Sequence, residues 1–443
     1  MKSKIYLLGA MFILFISCKT EKHIEVTNDE YHASIENVTE IMIHDIFSPP
    51  VASRVFVYPN IAAYEVIAQN NKTYTSLQHQ LKGLDSIPIL DPKSKVNQPL
   101  AALIAHMEVS KQLVFSEELV EKFRDSLYKK WQDENSEEFE ISKEYGLKVA
   151  ERIVKWMGKD NYKETRTMSK FSVFADQPGR WQPTPPAYMD AIEPHWNEIR
   201  TLVLDSASQF KPVPAFPFSL DKKSNFFKQV QEVYDISKTM EKLGDGCEQI
   251  KMAQFWDCNP YVSVSQGHMM FAKKKISPGA HWMGITKIAC IKSKADFNKI
   301  VFAYTKISIG MFDAFISCWD EKYRSNVIRP ETVINQHMDE DWKPVLQTPP
   351  FPEYTSGHSV VSKSASTILT SIFGDNFSFE DSSELPFGLP NRSFKSFDAA
   401  STEAGLSRFY GGIHYRAAIE NGMVQGTSVG NLVNNKINFF KSK

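Results

Sequence analysis

The stretch SKADFNKIVFAYTKISIGMFDAF, residues 293–315, predicts the clearest helix of this chain. Ser293 followed by Asp296 forms a capping-box pattern at its start. Beyond it, apolar side chains recur at steps of three and four, the period that places them on one helix face. They are Phe297, Ile300, Val301, Tyr304, Ile307, Met311 and Phe315. The stretch therefore predicts an amphipathic helix with one apolar face.

The same period recurs along most of the chain, and convincing strand pairs with hairpin turns are absent from the sequence pattern. Further helices are predicted near 54–69, 98–132, 139–157, 226–240, 278–291, 321–337, 356–373, 396–408 and 415–436. Long loops rich in proline, glycine and polar residues connect them. The fold class expected is all-α, a large helical bundle with long loops. No clear boundary divides it, so residues 35–443 are predicted to form a single helical domain.

Composition excludes partners that a strong global charge would attract. The 443 residues carry 51 basic and 52 acidic side chains, a formal net charge of −1. Such a balance recruits neither nucleic acid nor an acidic membrane surface. With 42% hydrophobic residues the chain has enough apolar side chains for a large core. Anion binding would require cations gathered locally.

The first eighteen residues, MKSKIYLLGAMFILFISC, predict export. Two lysines precede an apolar run that is too short to span a bilayer, as in a signal peptide. A small residue before Cys18 resembles a bacterial lipoprotein signal, so residues 1–18 are predicted to be the signal, Cys18 the lipidated residue and residues 19–34 a tether. The protein is then periplasmic or anchored to the outer membrane, with plain secretion as the alternative. No spanning helix is predicted later, because the best candidate, 301–319, carries Lys306 and Asp313.

The four remaining cysteines predict no metal site. Cys247, Cys258, Cys290 and Cys318 show neither paired spacing nor zinc spacing. In an exported protein of this size, buried thiols and one or two disulfides are both consistent with the sequence.

Cations and histidines gather in the last third of the chain, in three short segments. In EKYRSNVIRPE, residues 321–331, Lys322 and Arg329 are seven residues apart and would share one face of a helix. Taken alone, this is also the pattern of an exposed basic helix face.

The second segment, PEYTSGHS, residues 352–359, opens a helix with Ser356, Gly357 and His358. Backbone N–H groups at a helix start bind anions, and glycine lets an oxyanion approach the chain. Ser356 as a simple helix cap is the alternative. In the third segment, LSRFYGGIHYRAAIENG, residues 406–422, two glycines let the chain turn between Arg408 and His414. The three segments together predict an oxyanion site within residues 295–436.

These three segments resemble the three-part motif shared by type 2 phosphatidic acid phosphatases and vanadium-dependent haloperoxidases. The motif reads Lys322…Arg329-Pro330, Ser356-Gly357-His358 and Ser407-Arg408…His414, in the family's order. The lipid phosphatases of the superfamily span membranes, whereas this chain lacks predicted spans. Trp319 and Phe351 resemble positions near the metal of haloperoxidases, and Tyr261 would also lie near the site. The sequence most resembles exported bacterial vanadium-dependent iodoperoxidases.

The resemblance implies a role for each motif residue. His414 would be the single protein ligand of vanadium in a bound vanadate, the cofactor. The charge on the vanadate oxygens would be offset by Lys322, Arg329 and Arg408, and the same oxygens would accept hydrogen bonds from Ser356 and Gly357 N–H. His358 would act as acid and base while hydrogen peroxide binds, and Lys322 would polarise the peroxide. The halide, iodide in the first place or bromide, would become hypohalous acid beside Trp319, Phe351 and Tyr261.

Two alternatives use the same residues. An exported acid phosphatase would attack a phosphate monoester with His414 and protonate the leaving oxygen with His358. A non-catalytic oxyanion-binding lipoprotein would need the cations but not His358. Two residues depart from the family pattern: Thr355 replaces proline, and Ala418 stands where an aspartate commonly orients the second histidine. Glu420, another residue or a backbone carbonyl is therefore expected to hold the ring of His414.

Overall fold

The computed structural model describes residues 22–174, 176–260, 263–266, 269–272 and 275–441. These ranges contain fourteen α-helices: α1 Asn28–His44, α2 Pro49–Ala68, α3 Gln98–Lys111, α4 Glu117–Glu134, α5 Ser136–Met157, α6 Tyr162–Thr165, α7 Asn225–Leu243, α8 Glu248–Phe255, α9 Pro278–Lys292, α10 Phe297–Ser325, α11 Pro330–His337, α12 Gly357–Phe373, α13 Phe397–Tyr410 and α14 Arg416–Lys436. The predicted all-α class is confirmed.

Two short antiparallel strand pairs interrupt the helical pattern. They are β1 Ser263–Gln266 with β2 Met269–Ala272, and β3 Phe379–Asp381 with β4 Arg392–Phe394. Strands of three and four residues give too few alternating positions to be recognised in a sequence. The sequence pattern therefore did not reveal them.

Helix α10 runs through the middle of the bundle. It contacts α2, α12 and α14, and α2 in turn packs on α3 and α5. Of the described helices, α10 alone has the length and hydropathy of a membrane span, and its apolar window is entirely buried inside the fold. Its polar Asp313 is fully buried and accepts hydrogen bonds from the backbone N–H groups of Leu202, Val203 and Leu204 at 2.7–2.9 Å. Helix α10 is thus a buried core helix on which α2, α12 and α14 pack.

The start of α10 differs from the predicted capping box. The N-cap is Asp296, whose Oδ1 accepts a hydrogen bond from Lys299 N at 2.8 Å. Ser293 is instead the C-cap of α9, and Lys294 takes a positive φ of 52°. A residue in this left-handed conformation cannot continue a helix, so the chain turns there before α10 begins.

The predicted helix over 321–337 is wrong, because two helices meet there. Helix α10 ends at Ser325, and Asn326 closes it in the left-handed conformation with its N–H donating to the Lys322 carbonyl at 2.9 Å. Pro330 begins α11, and Arg329 before it is extended. Proline disfavours the helical conformation of the residue before it and is common at the first helical position. Lys322 and Arg329 therefore do not share a helix face. The predicted helix over 98–132 likewise divides into α3 and α4.

Close contact between α12 and α14 brings their N-termini together. A Cβ at Gly426 would lie 2.2 Å from the Val360 carbonyl oxygen, so only glycine fits at this crossing without rearrangement. Toward the N-termini of the two helices, Ser356 N donates to the Ala418 carbonyl at 3.1 Å. The start of α12 is thereby fixed against the start of α14, where His414 precedes the helix.

Part of the predicted tether, residues 19–34, is folded. Thr27 and Glu30 form a capping box that begins α1 at Asn28, and Ile24 is buried with its N–H donating to Glu138. The predicted signal, residues 1–18 with Cys18, lies outside the described residues. The prediction of a single domain over 35–443 stays a prediction. Cys247, Cys258, Cys290 and Cys318 are buried free thiols.

Candidate active site

The three sequence motifs meet at one end of the bundle. Lys322 lies in the last turn of α10 and Arg329 caps α11. Ser356 caps α12, whose first turn carries Gly357 and His358. Arg408 lies in the last turn of α13, and His414 in the turn before α14. Chain segments that are far apart in sequence thus bring the predicted cations and histidines together.

A cavity with about 30 Å³ of free volume lies among them. This volume is sufficient for ordered water, which needs about 10–15 Å³. The wall combines predicted site residues with others that the sequence pattern did not single out: Pro49, Cys258, Asn259, Pro278, Phe315, Trp319, Pro349, Phe351, Gly357, His358, Arg408, Ile413 and His414.

Arg329 is fully buried and held by backbone carbonyls. Its Nε donates to Phe351 O at 2.9 Å and its Nη1 to Ile413 O at 2.8 Å, and Nη1 is also 3.2 Å from His414 Nε2. Burial lowers the pKa of Arg329 to about 10, which leaves it charged at neutral pH. Its Nη2 is buried and has no hydrogen-bond partner among the described residues. A buried guanidinium N–H without an acceptor is costly unless a ligand supplies one.

Lys322 is oriented differently from the prediction. Its ammonium donates to the carbonyls of Pro352, Glu353 and Thr355 at 3.0, 3.1 and 2.6 Å. An ammonium has three N–H donors, so all of them are directed to this loop and none to the cavity. Burial lowers the pKa of Lys322 to about 7. Lys322 therefore holds the 352–355 loop, and its protonated form, which the three carbonyls favour, adds positive charge near the cavity.

The ring of His414 is held by Glu353, a residue that the sequence analysis did not consider. His414 Nδ1 donates to Glu353 Oε1 at 2.8 Å, and Tyr415 N donates to the same oxygen at 2.9 Å. Ala418 instead contributes its carbonyl to Ser356, and Glu420 is exposed on α14. Burial raises the pKa of Glu353 to about 7 against the opposing effect of Arg329. Glu353 thus takes the orienting role expected of the missing aspartate.

This arrangement keeps His414 neutral, with a lone pair on Nε2 toward which only Arg329 Nη1 donates, at 3.2 Å. Burial, followed by the nearby Arg329 guanidinium, holds the pKa of His414 well below its usual range. With Nδ1–H donating to Glu353, the lone pair of a neutral ring lies on Nε2. Nε2 is therefore the atom available to a metal centre or a phosphoryl group.

His358 and Arg408 share an anchor, the carbonyl of Trp256. Arg408 Nη1 donates to Trp256 O at 2.8 Å, and the ring of His358 hydrogen-bonds the Trp256 backbone. Within the described part of the chain, His358 Nε2 and Arg408 Nε are buried without hydrogen-bond partners. Burial, then the charge of Arg408, holds the pKa of His358 well below its usual range. A neutral His358 bound through Nδ1–H presents a proton-accepting Nε2.

The start of α12 has the predicted Ser356 cap. Ser356 Oγ accepts a hydrogen bond from Ser359 N at 3.3 Å, which leaves its own O–H as a donor. Gly357 lines the cavity. Thr355 does not cap the helix, because its hydroxyl donates to Gln425 Oε1 on α14 at 2.7 Å. The turn thus presents the backbone and the hydroxyl of a helix start, as an oxyanion site requires.

Two of the three predicted halide-side aromatics form an apolar wall. Trp319 and Phe351 are buried with ring centroids 5.0 Å apart, and both line the cavity. The Trp319 ring is fixed by a hydrogen bond from its Nε1 to Ile192 O at 3.2 Å. Tyr261 lies outside the described residues.

Together these residues form a site for an oxyanion. Arg408 lines the cavity and Arg329 contacts His414 on its wall, while the carboxylate of Glu353 holds His414. Asp257 is paired with Lys275 through Oδ2, and its Oδ1 lies 3.9 Å from Arg408 Nη2. Donor atoms fixed in place stabilise a tetrahedral oxyanion without reorganisation. The buried partnerless N–H groups of Arg329 and Arg408 are the donors that such an anion would satisfy, and His358 Nε2 would accept from a hydroxyl of the same anion.

The whole chain is similar to a solved structure. A bacterial vanadium-dependent iodoperoxidase, described as the first from bacteria, is 62% identical in sequence. The match covers 96% of this chain and 100% of that protein, with a TM-score of 0.92. This chain belongs to the vanadium-dependent haloperoxidase family. The predicted family and enzyme class are confirmed, and with them vanadate as the cofactor of the family.

Other comparisons agree with the fold of a vanadium-dependent haloperoxidase. The family model described as the VCPO second helical-bundle domain matches residues 302–442, which include every motif residue. Holo-type and apo-type bacterial vanadium-dependent chloroperoxidases are 16% and 14% identical, each with a TM-score of 0.63. They cover 95% and 91% of this chain, and 98% and 93% of their own. No curated protein sequence matches the chain.

The residues present fit vanadate. The buried partnerless N–H groups Arg329 Nη2 and Arg408 Nε can donate to anionic oxygens, His358 Nε2 can accept from a hydroxyl of the bound group, and His414 Nε2 offers a lone pair to the metal. The sequence motifs contain these four side chains but indicate neither Glu353 nor the Trp256 carbonyl as their partners. Glu353 stands three residues before Ser356, so the carboxylates next to the motifs were the available sequence signal for a partner of His414. A backbone carbonyl leaves no signal in a sequence.

Proposed function

We propose that this haloperoxidase oxidises iodide with hydrogen peroxide to hypoiodous acid, through vanadate bound at His414. In the balanced reaction, iodide, hydrogen peroxide and a proton give hypoiodous acid and water. Iodide loses two electrons and the peroxide O–O bond breaks. The observation that supports this most is the neutral His414, whose Nε2 lone pair lies beside the buried partnerless N–H groups Arg329 Nη2 and Arg408 Nε. The iodoperoxidase relative supports iodide as the halide.

The binding roles follow from the contacts. His414 Nε2 would hold vanadium, and Arg329 Nη2 and Arg408 Nε would donate to the oxygens together with Ser356 O–H and Gly357 N–H. Bound vanadate supplies a Lewis acid that activates hydrogen peroxide toward the halide. Lys322 holds the 352–355 loop and adds positive charge, which disfavours loss of the anion.

His358 would move the proton. Its Nε2 is buried, partnerless and held as an acceptor by the bond to the Trp256 carbonyl, so it can accept a proton from hydrogen peroxide and return it to the leaving oxygen. Trp319 and Phe351 would exclude water and leave an apolar, polarisable surface for iodide, with Tyr261 proposed beside them. Iodide is the most easily oxidised of the common halides.

A paired assay tests this function. The purified chain loaded with orthovanadate is expected to oxidise iodide when hydrogen peroxide is added, and chelation of vanadate should abolish the activity. The same preparation without vanadate is assayed for hydrolysis of a phosphate monoester. Vanadate-inhibited hydrolysis without iodide oxidation would establish the phosphatase alternative. Vanadate binding without either activity would establish the non-catalytic alternative.

Substitution of Glu353 by glutamine is expected to weaken vanadate binding or turnover by about 10–100-fold. The amide keeps the size of Glu353 but removes the charge that supports the basicity of His414 at Nε2. Vanadate affinity from equilibrium dialysis and iodide oxidation measured across pH provide the readout. The matched control is Glu420→Gln, on the exposed face of α14. Equal effects of the two substitutions would contradict the assignment of Glu353.

We further propose that this reaction takes place outside the cytoplasm. The support is the N-terminal signal pattern with Cys18 as the lipidated residue, which leaves the enzyme in the periplasm, on the outer membrane or, without lipidation, secreted. Export would keep hypohalous acid away from cytoplasmic thiols, which it oxidises.

A further inference from the structure

Three side chains of types that bind metals cluster beside the active-site cavity. It consists of Cys258 after α8, His281 on α9 and Glu384 before the 3₁₀ turn Leu385–Phe387. All three are buried, and their ligand atoms lie within 4.8 Å of one another. None of the proposed catalytic steps uses them.

The distances fit a tetrahedral ion. Cys258 Sγ is 3.6 Å from His281 Nδ1, and His281 Nδ1 is 3.2 Å from Glu384 Oε1. With zinc bonds of about 2.3 Å to sulfur and about 2.0–2.1 Å to nitrogen or oxygen, neighbouring ligand atoms stand about 3.3–3.6 Å apart. The edge from Cys258 to His281 lies within this range, and the edge from His281 to Glu384 is about 0.1 Å shorter than its lower end.

The outer contacts of His281 also match those of a metal ligand. His281 Nε2 donates to Asp381 Oδ2 at 2.8 Å, and Asp381 Oδ1 accepts hydrogen bonds from Ser383 N and Oγ at 3.0 and 2.6 Å. A carboxylate that holds one ring nitrogen leaves the lone pair of the other for the metal. Here that other nitrogen, Nδ1, faces the thiol and the Glu384 carboxyl.

We propose that Cys258, His281 and Glu384 bind a zinc-class divalent ion. A thiolate, an imidazole and one carboxylate suit zinc, whereas magnesium and calcium prefer oxygen ligands alone. Cys258 also lines the vanadate cavity, so a water molecule from that side can complete the coordination.

The ion would fix the anchor of two active-site side chains. The His281 ring stacks on Trp256 with centroids 4.3 Å apart and planes inclined by 16°. The Trp256 carbonyl accepts the hydrogen bond from Arg408 and binds His358. An ion that joins Cys258 to His281 thus holds residues 256–258 in place. The proposed ion site is independent of the proposed iodide oxidation.

Cobalt(II) substitution tests the site. The purified full chain is treated with chelator and titrated with Co²⁺, which should bind one ion per chain and give a thiolate-to-cobalt charge-transfer band with the intense visible bands of tetrahedral cobalt. Zinc should displace the cobalt and raise the Tm by several degrees. Cys258→Ser should lose the charge-transfer band, whereas Cys247→Ser, a buried thiol outside the cluster, should keep it.

A spectrum without the thiolate band, or a band that survives in Cys258→Ser, would overturn the proposal. If Cys258→Ser does not fold, zinc X-ray absorption of the wild-type chain decides, because the site requires one sulfur among the ligands. A zinc shell of nitrogen and oxygen alone would overturn it. A chain that binds zinc at the thiolate but never oxidises iodide would disprove the proposed function and leave this site established.

Discussion

Replacement of His414 by alanine should abolish iodide oxidation and weaken vanadate binding by more than about 100-fold. Loss of a partner that only orients a metal ligand already costs 10–100-fold, and here the ligand itself is removed. The site offers a metal the lone pair on His414 Nε2. Glu353 accepts the hydrogen bond from Nδ1, and burial together with the cations around the ring keeps the ring neutral. The guanidinium of Arg329, 3.2 Å from Nε2, donates hydrogen bonds but cannot bind a metal.

Vanadate affinity and steady-state iodide oxidation, measured on the same preparation, give the readout for His414→Ala. Circular dichroism and Tm establish that the chain still folds. His337→Ala is the matched control, because His337 is exposed at the end of α11. Wild-type vanadate affinity in His414→Ala would disprove its role as the ligand.

The second large effect is expected for His358→Ala, which should separate binding from turnover. Iodide oxidation should fall by about 10²–10⁴-fold, the usual contribution of a positioned acid–base group. Vanadate should still bind within about one order of magnitude, because Arg329, Arg408 and His414 remain and a single hydrogen bond to a charged group contributes about 1.5–3 kcal/mol.

Turnover at saturating vanadate and a separate vanadate titration distinguish the two effects. His44→Ala, on the exposed end of α1, controls for histidine loss as such. Unchanged turnover in His358→Ala would exclude its acid–base role. Parallel losses of affinity and turnover would instead assign His358 to cofactor binding.

The sequence predicted which side chains meet but not how they meet. Lys322 and Arg329 were expected on one helix face, and they do approach the same loop, Lys322 through three carbonyls and Arg329 through Phe351 O. The helix between them is broken at Asn326 and Pro330. The spacing therefore indicated the right residues, but not because they share a helix face. Lys322 and Arg329 come together because both bind carbonyls of the 351–355 loop.

The partner of His414 shows a different limit. Ala418 stands where the family pattern has an aspartate, and Glu420 is the nearest carboxylate in the sequence. On α14, Glu420 faces solvent, while Glu353 approaches from the loop before α12. The hydrogen bond between His414 and Glu353 joins residues 61 positions apart, so it depends on how the helices pack and not on the periodicity of one helix.

By itself the sequence determined the helical class, the three motifs and the identity of the cations and histidines at the candidate site, because helix period and short motifs are local properties. Only the tertiary structure decided that Glu353 orients His414, that the Trp256 carbonyl anchors His358 and Arg408, and that Lys322 holds a loop. It also brought Cys258, His281 and Glu384 together from three separate elements. These contacts join distant segments through backbone carbonyls and buried side chains, whose partners are fixed by how α10, α12 and α14 pack.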